Sequence, residues 1–494
     1  MSIWKTKHIM GLERNLSKEA DVRTSFAQRL GLAADWCDVA RLTVDVLPDV
    51  ALLRIFDFYQ ENTTFPGEWR VLVQVCRKWR TIVFGSPRRL RLNLYCTPIT
   101  PVRETLDVWP PLPIHINVEE WDWGDDVDNI LAALKHNDRT CGITLRGVPS
   151  SQLETILAEM QQPFPALSNL FIWSNYEIVP TQPDSFLGGS APSLEILTLV
   201  HVPFPGLPKL LLSATSLFYL YLQYDDDSGY IPPEALVTCL SVLTRLQILT
   251  IEFESPLSHP DWKSHYLLPL TRTLLPVFTY LRFKGASEYL EHVVARIDAP
   301  LLHNVNVTFF HQQIFDTSQF TRFLNRTPKI MALDKVHVLL GLNGFSVTLP
   351  PSFEGGLHVY LENSLGLSDR HLSSLAQICI SSLPQVLIRA VEYLYITDNS
   401  FSRDNIESNR WLEVLHTFTA VKSLYIFRQS CITPALQELV KGRVTEVLPA
   451  LQTLFLQEPV ESGSAQETIR QFVAARQLAG LPISISRWDG KLGD

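Results

Sequence analysis

Two groups of side chains in this sequence have the residue types that catalysis or metal binding requires. The first is residues 119–126, which read Glu-Glu-Trp-Asp-Trp-Gly-Asp-Asp and set carboxylates beside tryptophan rings. Paired carboxylates with aromatic platforms suit glycoside cleavage, and clustered carboxylate oxygens suit calcium. An acidic turn facing solvent explains the same residues more simply, so we favour the turn.

The histidines form the second group. His303, His311, His337 and His358 fall in separate segments of the chain, and a shared metal site would require those segments to converge. The sequence also has no phosphate-binding loop, nucleophile elbow, zinc-protease motif or dinucleotide-binding motif. We therefore expect no enzyme, no catalytic residue, no metal and no cofactor.

Cysteine usage and hydropathy indicate the cellular compartment in which the protein resides. The seven cysteines are scattered and include no Cys-x-x-Cys pair, which is typical of reduced thiols inside the cell. The N-terminus lacks the apolar core of a signal peptide, and no apolar run approaches the ~18 residues that cross a bilayer. These features predict a cytoplasmic or nuclear protein with no membrane partner.

Charge is unevenly distributed along the chain. Residues 1–100 hold 15 Lys and Arg against 10 Asp and Glu, and the remainder holds 27 against 41, a balance of -14. Because nucleic-acid binding depends on cations that neutralise phosphates, so acidic a segment argues against a nucleic-acid partner.

Residues 45–92 carry a helical pattern in two parts. Leu47-Pro48 opens the first part, and Asp49 follows where an acidic residue complements a helix N-terminus. A second run at residues 69–84 repeats its apolar side chains at intervals of three and four, as an amphipathic helix does. The polar segment 61–68 separates the two.

The order of these residues resembles an F-box. Members of that family begin with Leu-Pro and an apolar first helix and continue to a Val-Cys-basic-x-Trp helix, which matches residues 75–79 here. Segment 61–68 departs from the family because it is longer and more polar. The resemblance implies a three-helix module that docks on the Skp-type adaptor of a cullin-RING ubiquitin ligase. The adaptor-facing residues that it implies are Leu47, Pro48, Leu53, Ile55, Phe56, Val75, Cys76 and Trp79.

A six-residue template, apolar-x-x-apolar-x-apolar, recurs from residue 167 onward. It begins at residues 167, 194, 217, 246, 278, 302, 333, 391, 421 and 451. The spacings lie between 23 and 32 residues except for one of 58. Within that interval we expect a degenerate repeat around residues 357–361. Helix-compatible runs lie between the templates, so the pattern predicts strands alternating with helices. This spacing is near the long end for a leucine-rich repeat.

In such a parallel array, template positions one, four and six point inward, and positions three and five point outward. The array resembles the divergent leucine-rich-repeat solenoids that follow F-box modules in many fungal proteins. Solenoids bind partners on the concave face, where exposed aromatic side chains serve as anchors. The predicted target-binding residues are Phe171, Tyr219, Tyr221, Tyr280, Tyr393, Tyr395 and Tyr425, and the same face carries Asn169, Arg282, Lys284 and Phe455. The group at 393, 395 and 425 is the strongest candidate; the alternative is that these rings pack on one another.

The fold class is therefore α/β: a three-helix F-box-like module followed by a leucine-rich-repeat-like solenoid. We expect an N-terminal helical segment at 1–44, the module at 45–92, a linker with the first capping strands at 93–140, and the degenerate solenoid with a C-terminal cap at 141–494. Two functions fit this organisation. The chain could recruit an unknown target protein to a cullin-RING ligase, or it could be a scaffold in which the helical module only caps the solenoid.

Overall fold

The computed structural model describes residues 47–62, 72–85, 92–97, 102–108, 111–118, 127–174, 185–224, 230–254, 271–310, 317–331, 334–340, 344–349, 356–362, 383–398, 408–427, 429–457 and 463–488. The predicted segment 1–44 and the acidic residues 119–126 lie outside this part of the chain, as does His311. The chain divides into two compact units, Met1–Arg89 and Leu90–Asp494.

The first unit contains three described helices. They are α1 (Asp49–Asn62), α2 (Leu72–Val75) and α3 (Arg77–Gly85). Phe56 of α1 is 2% exposed and its ring centroid lies 4.8 Å from that of Trp79 in α3. Leu52, Leu72, Val73, Ile82 and Val83 are buried as well. These buried side chains form a small interior.

The second unit is built on one long sheet of sixteen strands among the described residues. Its strands are β1 (Leu92–Tyr95), β2 (Ile114–Val118), β3 (Thr140–Val148), β4 (Asn169–Ser174), β5 (Ile196–Val200), β6 (Tyr219–Tyr224), β7 (Ile248–Phe253), β9 (Tyr280–Gly285), β11 (Asn304–Phe310), β12 (Lys335–Leu340), β13 (Gly344–Leu349), β14 (Gly356–Glu362), β15 (Tyr393–Asp398), β16 (Ser423–Ile426), β17 (Thr453–Gln457) and β18 (Ser484–Trp488). Two short strands, β8 (Thr273–Leu274) and β10 (Ile297–Asp298), form a separate parallel pair.

Helices alternate with most of these strands. They are α4 (Val102–Val108), α5 (Asp128–Leu134), α6 (Ser150–Glu159), α7 (Leu207–Ser213), α8 (Pro233–Val242), α9 (Ser287–Val294), α10 (Ser318–Asn325), α11 (Gln385–Ala390), α12 (Ser408–Thr417), α13 (Gln429–Val440) and α14 (Gly463–Leu478), with a 3-10 turn at Phe186–Gly189. The second unit is therefore a leucine-rich-repeat-like α/β array with a mostly parallel sheet. The stretch 93–140, predicted as a linker with capping strands, contains β2 and the helices α4 and α5, and β1 pairs in parallel with β2.

The inward positions of the template form the interior, as predicted. In the first template, Leu167, Leu170 and Ile172 are at most 1% exposed, whereas Asn169 and Phe171 are partly exposed. Strands β6 and β9 repeat this alternation because side chains on a strand point to opposite faces, whereas Thr198 and Val200 of β5 are nearly buried on the outward face as well. We call the other face of the sheet, which carries Phe171, the open face.

One prediction about the order of the strands is wrong. We expected residues 357–361 to form a repeat between those at 333 and 391, but the sheet runs β11-β14-β13-β12-β15. Strand β14 pairs in parallel with β11, and β13 pairs antiparallel with both β14 and β12. Strand β12 then pairs directly with β15. The expected strand at residues 357–361 is therefore present as β14, but a hairpin reversal changes its neighbours and interrupts the parallel order.

Side chains tie neighbouring repeats together. Glu291 of α9, 4% exposed, accepts hydrogen bonds from the backbone N–H groups of Gln319 and Phe320 in α10, at 2.7 and 2.6 Å. Arg476 of α14 is fully buried and donates to the carbonyls of Val444 and Leu451, at 3.2 and 3.4 Å. Buried polar side chains such as these are almost always hydrogen-bonded, so each depends on the position of its partner in the neighbouring segment. Among the described helices, none is long and apolar enough to cross a membrane.

Candidate functional site: a slot over strand β5

The register of the strands aligns one outward residue from each of three neighbouring strands. Phe171 of β4 lies beside Thr198 of β5, and Thr198 lies beside Tyr221 of β6. Two aromatic side chains therefore flank a threonine that is 6% exposed. Within the same three strands, Trp173 and Gln223 flank Val200 in the same way.

A cavity of about 420 Å³ lies along β5 between these side chains. Its floor consists of Thr198 and Val200, because neither side chain is large enough to fill the space between the neighbouring strands. Its lining is Phe171, Trp173, Thr198, Val200, His201, Tyr219, Tyr221 and Gln223. We call this cavity the β5 slot. Four of its eight lining residues are aromatic, as is common where a protein surface binds a ligand.

Hydrogen bonds fix one wall of the slot. The Tyr221 hydroxyl donates to Glu252 Oε2 at 3.1 Å and lies 2.9 Å from Gln223 Oε1. Glu252 itself forms an ion pair with the Arg282 guanidinium. Burial, together with the negative charge of Glu252, raises the pKa of Tyr221, so the phenol stays protonated and keeps donating. The Tyr221 ring is thus held in one orientation.

The Arg146 guanidinium lies next to the Phe171 ring, which forms the other wall of the slot. The Arg146 guanidinium carbon lies 4.8 Å from the centroid of the Phe171 ring, a distance at which a cation is attracted to the ring face. Two other cations of the open face are neutralised: Arg282 pairs with Glu252, and Lys284 pairs with Glu254 and Glu362. Among the ion pairs of the described residues, none includes Arg146.

The predicted target-binding residues fall into two places. Phe171, Tyr219 and Tyr221 line the β5 slot, whereas Tyr393, Tyr395 and Tyr425 lie on β15 and β16, the seventh and eighth strands beyond β6 in the order of the sheet. Tyr280 lies on β9, outside the lining of the slot.

The second place is an aromatic stack. The ring centroids of Tyr395 and Tyr425 are 4.3 Å apart, and those of Tyr425 and Phe455 are also 4.3 Å apart. The Trp488 ring packs on the Tyr425 ring at 5.3 Å. Tyr395 is 4% exposed, and this burial raises its pKa to about 12. The strongest candidate from the sequence is therefore largely filled by its own rings, as the alternative interpretation expected.

Sequence analysis missed Trp173, Thr198, Val200, His201 and Gln223. Trp173, Val200 and Gln223 hold template position seven, which the period of two also places on the open face, and at that position the sequence analysis names only Lys284. Thr198 holds position five, and it was passed over because it is not aromatic. Its small side chain is what leaves the slot open.

Two of the histidines, His337 and His358, lie on either side of β13 and contact threonine hydroxyls. His337 Nε2 lies 2.9 Å from Thr397 Oγ1, and His358 Nδ1 lies 2.7 Å from Thr348 Oγ1. In the part of the chain that the structure describes, no three His, Cys, Asp or Glu side chains converge as a metal site would require.

The residues that the F-box resemblance assigns to an adaptor divide by exposure. Leu47, Ile55 and Val75 are 38, 46 and 55% exposed. Pro48 is exposed, and Leu53, Cys76 and Trp79 are half-buried. Phe56 is buried against Trp79, so its side chain stabilises the unit and does not face a partner.

No family model matches the chain, and no curated protein matches it. Among solved structures, the leucine-rich repeat-containing protein LegL7 from Legionella pneumophila is 12% identical, covers 81% of this chain and 92% of its own, and superposes with a TM-score of 0.27. A likeness this distant supports no conclusion about relatives or partners, and the class of the fold follows from the sheet itself.

Proposed function

We propose that this chain recruits a target protein to a cullin-RING ubiquitin ligase: its helical unit docks on a Skp-type adaptor, and its repeat array holds the target. In this proposal the chain is not an enzyme, needs no cofactor, and acts in the cytoplasm or nucleus. The observation that carries the proposal is the set of exposed apolar side chains on the helical unit.

These side chains lie on the side of α1 that faces away from the unit's interior. Val50, Ile55 and Phe58 are 71, 46 and 68% exposed. At about 100° of rotation per residue, the three fall within an arc of about 140°, on the side opposite Leu52 and Phe56. Exposed apolar side chains opposite the buried side of a helix offer a surface on which another protein can pack.

Two further contacts hold the start of α1 beside α3. The Lys78 ammonium donates to the Leu47 carbonyl at 2.9 Å and lies 3.9 Å from the Asp49 carboxylate. Leu47 is thereby kept near α3, and Val75 stands 55% exposed just before that helix. A patch of this kind on a small unit is typical of a protein interaction site.

Co-elution of the purified full chain with a Skp-type adaptor tests the adaptor half of the proposal. Ile55→Asp combined with Phe58→Asp should abolish co-elution, because a buried unpaired carboxylate costs several kcal/mol at an interface. The matched control is Leu212→Asp in α7, where the leucine is 44% exposed on the repeat array, and this variant should co-elute as the wild type does. Circular dichroism establishes that all variants are folded.

Failure of the wild-type chain to bind any Skp-type adaptor would remove the ligase proposal. The scaffold alternative would then take its place. It expects that deleting residues 1–92 causes aggregation of the array without loss of a binding partner.

The β5 slot supports the target-binding half of the proposal. It is a groove lined by aromatic side chains, one of which, Tyr221, is held by hydrogen bonds, and aromatic side chains with polar groups are frequent anchors of protein interfaces. Phe171→Ala and Tyr221→Ala should therefore weaken target binding while adaptor binding is kept.

A further inference from the structure

The open face contains a complete aromatic stack and an interrupted one. On β15, β16 and β17, Tyr395, Tyr425 and Phe455 occupy one aligned row, and their rings stack with centroids 4.3 Å apart. On β4, β5 and β6 the aligned row reads Phe171, Thr198, Tyr221. The middle residue of the second row carries no ring.

The spacing of the strands gives the width of this gap. Neighbouring strands lie about 4.8 Å apart, so the backbones that carry Phe171 and Tyr221 are about 9.6 Å apart. A ring placed over Thr198 would lie about 4.8 Å from each wall, within the roughly 4.5–7 Å at which aromatic pairs attract. The stack on β15–β17 is the molecule's own example of three rings in successive strands.

The charge at the edge of the slot indicates what accompanies the ring. Arg146 lies against the outer side of Phe171, 4.8 Å from the ring centroid, and is exposed to solvent. The Glu252 and Glu254 carboxylates nearby are already paired, with Arg282 and Lys284. The array as a whole is acidic, but exposed charges more than about 8 Å away are largely screened at physiological salt. Among the described residues, the charge at the Phe171 wall that has no ion pair is therefore the positive charge of Arg146.

We propose that the β5 slot takes an aromatic side chain of the target protein, inserted between Phe171 and Tyr221, with an acidic residue next to it in the target meeting Arg146. This inference rests on the proposed target binding by the array and names the chemistry of the target. The aromatic ring supplies the middle member that Thr198 leaves out, and the acidic neighbour pairs with the guanidinium. A leucine or valine fills the slot without stacking on its two walls.

Fluorescein-labelled peptides test the preference of the wild-type full chain. Their sequence is Gly-Ser-Asp-Xaa-Asp-Ser-Gly, with Xaa as Trp, Leu or Ala, and a further Trp peptide has Lys in place of both Asp. By fluorescence anisotropy, we expect the Trp peptide to bind at least about tenfold more tightly than the Ala peptide and roughly two- to tenfold more tightly than the Leu peptide. Replacing Asp with Lys should weaken binding by about fivefold or more.

Substitutions at Thr198 locate the binding in the slot. Thr198→Phe places a ring of the protein's own in the gap and should abolish binding of the Trp peptide, whereas Thr198→Ser leaves the gap open and should bind as the wild type does. Thr308→Phe, on the open face of β11, is a matched control for adding a ring elsewhere. Phe171→Leu removes the aromatic wall without filling the slot, and it should weaken binding of the Trp peptide by roughly two- to tenfold.

Several results would overturn the inference. They are equal binding of the Trp and Ala peptides, no binding of any peptide, unchanged binding by Thr198→Phe, or tighter binding of the Lys-flanked peptide. Tighter binding of an oligo(dT) decamer than of the Trp peptide would also overturn it, since bases stack on aromatic side chains too. Adaptor co-elution is a separate measurement, so the ligase proposal and this inference can fail independently.

Discussion

Replacing Glu291 should loosen helix α10, which belongs to the next repeat. The Glu291 carboxylate is 4% exposed and accepts from the N–H groups of Gln319 and Phe320, at 2.7 and 2.6 Å. These N–H groups belong to the first turn of α10, where no carbonyl of the helix itself is available. Their acceptor therefore comes from the neighbouring repeat, and its negative charge also complements the helix dipole.

The magnitude follows from these two hydrogen bonds. A hydrogen bond to a charged group contributes about 1.5–3 kcal/mol, and a buried donor left without an acceptor costs about 1–3 kcal/mol. Glu291→Gln keeps one acceptor oxygen and turns an amide group toward the other N–H, so we expect a loss of about 2–3 kcal/mol. Glu291→Ala removes both acceptors, and we expect a loss of about 3–5 kcal/mol.

Amide hydrogen exchange measures this loss where it occurs. A loss of about 2 kcal/mol corresponds to roughly 30-fold faster exchange through local opening of α10. The matched control is Glu154→Gln, an exposed glutamate of α6, where a surface substitution should change stability by at most about 0.5 kcal/mol. If exchange in α10 rises no more in Glu291→Gln than in the control, the capping role assigned to Glu291 is incorrect.

Two further predictions concern buried basic groups. Burial, with a smaller effect of His358, lowers the pKa of His337 to about 4, whereas the unfolded histidine titrates near 6.5. The unfolded chain thus binds the proton more readily than the folded chain does. The free energy of unfolding should therefore fall by up to about 3 kcal/mol as the pH drops from about 6.5 to about 4. Urea titrations at several pH values should show a flatter pH dependence for His337→Gln than for the wild type. Arg476→Met should speed amide exchange in α14 by leaving three carbonyls without their donor, whereas the exposed Arg470→Met should not; equal effects would contradict this role.

The sequence by itself determined the repeating unit. A leucine or its equivalent at template positions one, four and six specifies a strand with one buried face, because burying apolar surface needs only this local pattern. Leu167, Leu170 and Ile172 are accordingly buried. Helical spacing likewise identified α1 and α3, although it could not tell that Phe56 faces inward, since that depends on the packing of α1 against Trp79.

Only the tertiary structure decided which strands are neighbours and which outward side chains meet. Backbone hydrogen bonds are the same for every sequence, so the pattern of residues 357–361 predicts a strand but not its partners, and β14 lies beside β11 instead of following β12. The β5 slot arises in the same way, because Phe171, Thr198 and Tyr221 come from three repeats that register alone aligns. The stacking that buries Tyr395 also depends on that alignment.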